Sequence, residues 1–528
     1  MNDTGPAAYN QELVASAEFA QWDVAQRPLR GRGRPGPARD GAPALQGMGV
    51  LDEDRMIGTS GAHGLPAAAG DIEQARSSTP TEFAALVFLT LPLVVFFVGF
   101  ATWFVAGPAL LSIVAVLYRC RPDRPHWSRP GWRTVYCVVL SGLFLWACGY
   151  LPPFGRSWDW LKHFAVINEL ARYPWPPVND ETHTFLRYAL GFYLVPGLVA
   201  RLFGERVIEP MVFLQTWLGL FLVLSLLLEK IKPSRPGPFL IVFLLFGGLD
   251  LVGWWLFGSD RTLLSTKEWW TSRSYLFAYE GHATLFLWVP QHALAGMLGT
   301  ILLVSNEGRP VAPRSMGLLG AAVLFWSPFA AIGLLPFALA AAARAWRDVF
   351  TDAGNVLCAL TLVAPLLGYL LAGSSDIPRG FTFTRPGFSV SLYAAFVLLE
   401  AGFYLVALRL RGWRHLRHPL IVVALLVVIP LYRIGVYNDF AMRASIPALM
   451  LLAIAVAATV TEAEGYAWIP LAVLIVVGMA GSIIEIIGRG KDGYVSVRDQ
   501  TMRSGFLFQE RGFFVQYNAP LPNWVLRR

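Results

Sequence analysis

The sequence predicts an all-α protein, built as a polytopic bundle of transmembrane helices. Three observations carry this. Of its 528 residues, 55% are hydrophobic and only 15% charged, against about 25% charged in soluble globular chains. Its mean hydropathy is +0.50. Its apolar residues fall in long runs, and a helix needs about 20 of them to cross a bilayer. In such a chain a net charge of +8 reads as basic residues in short cytoplasmic loops rather than a nucleic-acid surface. Cys120, Cys137, Cys148 and Cys358 form no CxxC pair and read as small hydrophobes.

Residues 1–80 are rich in Gly, Pro, Ala and Arg without periodicity and read as a disordered cytoplasmic tail. No apolar segment comes early enough for a signal peptide. Residues 81–488 form the transmembrane domain, and 489–528 a polar tail able to fold over one membrane face. Apolar runs begin near Phe83, Thr134, Phe185, Val207, Pro238, Thr284, Ser315, Gly354, Ser389, His418, Phe440 and Ala467. The first, reaching Tyr118, is long enough for a hairpin turning at Gly107-Pro108. The Ser315–Trp346 run breaks at Ser327-Pro328. This predicts roughly 11–14 spans.

Lys and Arg set the expected sidedness. Arg119–Arg133, Lys230–Arg235, Arg344–Arg347 and Arg409–Arg417 belong inside. Ser157–Thr184, Ser259–His282 and Tyr437–Asp439 then fall outside. An odd number of crossings must separate the Asp159 loop from Lys230, so one of the runs 186–203 and 208–229 is re-entrant or lies flat.

Polar residues at membrane depth are costly unless paired or solvated, so they mark sites. In RSWDWLKHFAVINELARYPWPP, Asp159, His163 and Glu169 have the spacing of a short amphipathic helix in the first outer loop. Asp159 and His163 are i, i+4 neighbours on one face, and prolines end the helix. Asp180 and Glu181 follow. The helix is either an interfacial one with solvated charges or the holder of a catalytic carboxylate. Asp250 interrupts the apolar FGGLDLVGWW, and Glu268 and Arg273 lie in the next loop. Gln291 and His292 interrupt LFLWVPQHALAG, and His292 reads as a hydrogen-bonded histidine lining a pocket. In YRIGVYNDFAMRASIP, Asn438 or Asp439 caps a helix, and Asp439 and Arg443 are i, i+4. Arg433 and Arg443 either make structural pairs or bind phosphate bidentately. Pro447 comes too late for a first-turn proline. No metal-ligand spacing is present and no cofactor is expected, a divalent metal being the alternative that ligand spacing does not support.

These blocks, with LRYALGFYLVPGLVARLFG and WSPFAAIGLLPF, resemble a group of bacterial membrane proteins of the GT-C glycosyltransferase type over about Thr134–Tyr517. A polytopic chain with an acidic residue opening a short helix in its first large outer loop is similar to that superfamily. The paired-acid DxD or ExD signature is absent. The resemblance implies a bacterial inner (plasma) membrane and a polyprenyl-phosphate-linked sugar as donor. It implies inverting transfer to a lipid, glycan or protein acceptor on the extracytoplasmic face. Asp159 would be the general base, with basic side chains such as Arg273, Arg433 or Arg443 holding the leaving phosphate. His163, Asp180, Glu181, Asp250, Glu268, Gln291, His292, Asn438 and Asp439 are the other expected substrate-binding residues. The alternatives are a polysaccharide polymerase or ligase, or a transporter or flippase of a lipid-linked substrate.

Overall fold

The computed structural model describes residues 78–122, 131–157, 159–179, 184–257, 277–304, 311–435, 438–462, 468–489 and 517–520. They are mostly helical. A hairpin of α1 (Pro80–Gly99) and α2 (Trp103–Cys120) precedes α3 (Trp132–Ala147), α4 (Asp159–Arg172) and strands β1 (Val178–Asn179) and β2 (Thr184–Leu186). Short α5 (Leu194–Phe203) leads into long α6 (Ile208–Ile231). Two interrupted pairs follow, α7 (Pro236–Leu244) with α8 (Asp250–Phe257) and α9 (His282–Trp288) with α10 (Pro290–Val304). Then come α11 (Val311–Trp326), α12 (Pro328–Arg344), α13 (Trp346–Phe350), α14 (Ala353–Leu371) and β3 (Arg379–Phe381). The order ends with α15 (Val390–Arg409), α16 (Pro419–Leu431), β4 (Tyr432–Ile434), α17 (Asp439–Ala444), α18 (Ile446–Glu462), α19 (Ile469–Arg489) and β5 (Asn518–Ala519).

Among the described residues, α1, α2, α6, α14, α15 and α19 are long and apolar enough to cross a membrane. Seven more apolar helices have 10–17 residues. The predicted runs are thus present, but local breaks shorten many of them. Val289-Pro290 splits one run, and Leu245–Leu249 another. Ser327 splits a third as foreseen, its hydroxyl accepting the Ala330 N–H at 3.2 Å to cap α12. Two expectations are corrected. The first hairpin turns at Phe100–Thr102, and Gly107 and Pro108 lie inside α2. Pro108 is the sixth residue of α2, past the positions whose N–H is unpaired anyway, so the helix runs on with one internal hydrogen bond missing. Pro447 falls in a first turn, because α17 stops at Ala444 and α18 begins at Ile446.

The bundle has two chemically different ends. At one, the Thr79–Glu82 capping box starts α1, and Glu82 is ion-paired with Lys230 at the end of α6. Arg119 at the end of α2 pairs with Asp352 just before α14. Arg417 donates to the Val304 carbonyl at the end of α10, at 3.0 Å. At the other end, Phe100 packs on Trp175, ring centroids 5.3 Å apart. The α4 layer lies there, together with the starts of α12 and α18 and the last turn of α14. α5 rises only about 15 Å, half a bilayer core. It packs on α4, and between Asp159 and Lys230 only α6, among the described residues, is long and apolar enough to cross a membrane. This agrees with the odd number expected there. α10 is buried along its whole length, and so is nearly all of α18; the core is centred on them. All four cysteines are buried and unpaired.

Candidate active site

The site starts with a broken helix. After Trp288 the chain leaves helical geometry at Val289, and Pro290 begins α10. The last carbonyls of α9 have no intrahelical donor, and in this buried position they must find one elsewhere. They find it in Tyr150 and the start of α4. Tyr150 Oη donates to Phe286 O at 3.0 Å. Ser157 Oγ and Trp160 Nε1 donate to Leu287 O at 3.1 and 2.9 Å. His163 Nε2 donates to Trp288 O at 2.8 Å. A carbonyl only accepts, so Nε2 carries the proton, and Nδ1 accepts from Tyr193 Oη at 2.8 Å. His163 is 2% exposed. Burial lowers its pKa to about 4, against an upward pull from Asp159. It is neutral at pH 7, with both ring nitrogens committed to holding α4 against the helix break.

This attachment sets Asp159 and His163 on the wall of a cavity of about 350 Å³. Gln291 and His292, from the first turn of α10, form a neighbouring part of the wall. His292 Nδ1 lies 2.7 Å from Ser327 Oγ, whose lone pair already accepts from Ala330. This bond satisfies Nδ1 and leaves Nε2 as the ring nitrogen on the cavity side. The third part comes from α17. Asn438 sits at φ 56° and caps it through Ala441 N. Asp439 and Arg443 form the foreseen ion pair. Gly435 has φ +91°, and a Cβ there would come within 2.1 Å of Asp439 Oδ2. Only glycine fits this turn.

Residues not singled out from the sequence complete the wall: Lys162, Arg187, Tyr188, Arg379 and Tyr517. Lys162 Nζ lies 2.8 Å from Asp159 Oδ1. Arg187 follows β2, and its N–H bonds Tyr517 O at 2.6 Å next to β5. β2 pairs antiparallel with β1 and β5, with Phe185 opposite Ala519. The C-terminal segment thus folds back onto the site. Arg379 of β3 pairs with Ile434 of β4, both on the wall. Lys162, Arg187, Arg379 and Arg443 face Asp159 and Asp439, an excess of positive charge. Burial works against the Arg443 charge, yet Asp439, Glu280, Tyr188 and Asp159 hold its pKa above the usual arginine value. Glu280, buried just before α9, is pushed up to about 8 by burial against the pull of Arg443. The Tyr188 and Tyr517 phenols are pushed up by burial; their rings are 4.5 Å apart.

The rest of the wall is apolar and reaches outward. Phe329 and Ile332 of α12 and Leu367, Leu370 and Leu371 of α14 line it. Ile332 is 46% and Leu371 61% exposed, on helices whose outer faces are apolar.

The structure thus brings Asp159, His163, Gln291, His292, Asp439 and Arg443 to one cavity, with Asn438 capping the helix beneath. Arg433 is not among its lining residues; it is buried in β4, and its Nε donates to Gly435 O at 3.0 Å. A strand facing a partner strand points it into the turn. Asp250 is also elsewhere, starting α8 beside Glu400 on a π-turn of α15. Asp180, Glu181, Glu268 and Arg273 lie outside the described residues. Among the described residues no group of three His, Cys, Asp or Glu could hold a metal ion.

No family model, curated protein or solved structure matches the chain.

Proposed function

We propose that the protein is a membrane glycosyltransferase of the GT-C type, moving a sugar from a polyprenyl-phosphate donor to a hydroxyl acceptor. The observation that carries this reading is the make-up of one cavity. A carboxylate, an excess of cations and an apolar wall reaching outward-facing residues share a single space. A lipid-linked phosphate needs the cations for its head and the apolar wall for its chain. A hydroxyl acceptor needs a base, and Asp159 is the carboxylate at the start of α4.

In the proposed reaction the Asp159 carboxylate takes the proton of the acceptor hydroxyl. The acceptor oxygen forms a bond to the sugar's anomeric carbon as the carbon–oxygen bond to phosphate breaks. The bonding pair leaves with the polyprenyl phosphate. Arg443, Arg187 and Arg379 stabilise the charge it gains. Lys162 is ion-paired with Asp159 and holds its carboxylate at the start of α4. His163 does not act in proton transfer, because its ring nitrogens are occupied. The basic ends of α2, α6, α12 and α15 lie away from the cavity, which under the positive-inside rule supports an extracytoplasmic site.

The test is a reconstitution in liposomes with polyprenyl-phosphate-linked hexoses and pentoses and lipid or glycan acceptors. Chromatography of the extracted lipids should show free polyprenyl phosphate and a glycosylated product. Movement of intact donor across the bilayer without either product would overturn the reading in favour of transport.

A further inference from the structure

Two polar side chains on the cavity wall are left unspent by the protein. Gln291 is 1% exposed, and its amide makes no hydrogen bond to any described residue; its Oε1 is buried without a partner. His292 has its Nδ1 bonded to Ser327, and its Nε2 is also without a partner among the described residues. Both residues line the cavity, at the break where α10 begins. A buried polar group without a partner destabilises a fold, and its persistence points to a ligand that supplies the missing bonds.

The chemistry of the pair identifies that ligand's class. The amide offers both an acceptor oxygen and N–H donors, and the imidazole adds one free ring nitrogen. A phosphate only accepts and would leave the Gln291 oxygen unmet. An apolar chain would leave every group unmet. A hydroxyl both donates and accepts, so adjacent hydroxyls satisfy amide and imidazole together. The cations of the cavity lie on other elements, at Lys162, Arg187, Arg379 and Arg443, and suit the phosphate.

Resting on the glycosyltransferase reading, we infer that Gln291 and His292 are the sugar-reading residues of this site, hydrogen-bonding the hydroxyls of an uncharged glycosyl group. Discrimination follows from burial: a site built to bond a hydroxyl rejects the ligand that lacks it.

Binding in nanodiscs tests this with two probes, polyprenyl phosphate and polyprenyl-phosphate-linked hexose. The wild-type protein should bind the hexose-bearing lipid about tenfold or more tightly than the bare phosphate, one to two hydrogen bonds' worth. Gln291→Leu and His292→Phe should each remove most of that preference and bind bare polyprenyl phosphate as the wild type does. A Gln291→Leu protein that keeps the full preference overturns the inference and leaves the glycosyltransferase reading standing. So does a wild-type protein without preference, or a variant that loses both lipids equally. A wild-type protein that binds neither lipid overturns both.

Discussion

Replacing His163 by Gln tests how α4, the helix that carries Asp159, is held. The imidazole joins the Trp288 carbonyl, orphaned by the helix break, to the Tyr193 hydroxyl, both at 2.8 Å and both out of water. Glutamine has one amide in place of two opposed ring nitrogens, so one partner is left unmet. That costs about 1–3 kcal/mol at neutral pH. The acid limb gives a sharper reading. His163 has a pKa near 4 in the fold, against about 6.5 in an unfolded chain. The unfolded state takes up its proton first as pH falls. Stability from this group is therefore complete above about pH 6.5 and is lost progressively down to about pH 4. The difference amounts to about 3 kcal/mol. Glutamine has no proton to gain, so His163→Gln should start lower at pH 7.5 and lose less on acidification. The assay is reversible unfolding in mixed micelles at intervals from pH 7.5 to 4. A variant that declines as steeply as the wild type over that window would refute the assignment.

Other variants probe the surroundings. Glu280 has its pKa raised to about 8 by burial, so its contribution is present below about pH 4.5 and lost as pH rises through 8. Glu280→Gln should match the wild type near pH 5 and exceed its stability at pH 9, measured by the same unfolding assay. Gly333→Ala would bring a Cβ within 1.9 Å of the Ala444 carbonyl where α12 crosses α17. It should cost about 1–3 kcal/mol of stability and weaken donor binding by displacing Arg443. Asp250→Asn should leave sugar transfer unchanged, since Asp250 stands beside Glu400 and is not among the cavity-lining residues. Loss of transfer in that variant would favour a relay through the bundle.

Much of this was legible in the sequence because the signals were local. A serine followed by proline cut the Ser315–Trp346 run where α11 gives way to α12. Asp159 was marked by its i, i+4 spacing with His163 in the first outer loop, Asp439 and Arg443 by their i, i+4 pairing, and Gln291 and His292 by interrupting an apolar run, where the cost of burial requires partners or a cavity. Asp250 carried the same mark, yet its partner is Glu400. Burial cost shows that a polar group is met, without showing by what. Arg187, Arg379 and Tyr517 were not legible. They border loops, where a cation reads as solvated. What brings them in is strand pairing only two or three residues long, between segments far apart in sequence. Such strands have no periodicity to detect. The length of α5 was hidden too, because a ten-residue apolar helix and half of a full span have the same composition.

The central claim is that Asp159 activates an acceptor in this cavity. Single-turnover transfer from a polyprenyl-phosphate-linked sugar, comparing wild type with Asp159→Asn, tests it most directly. The substitution keeps size and removes the base, so the rate should fall about 10²–10⁴-fold while donor binding holds. An Asp159→Asn protein that transfers sugar at the wild-type rate would contradict the account.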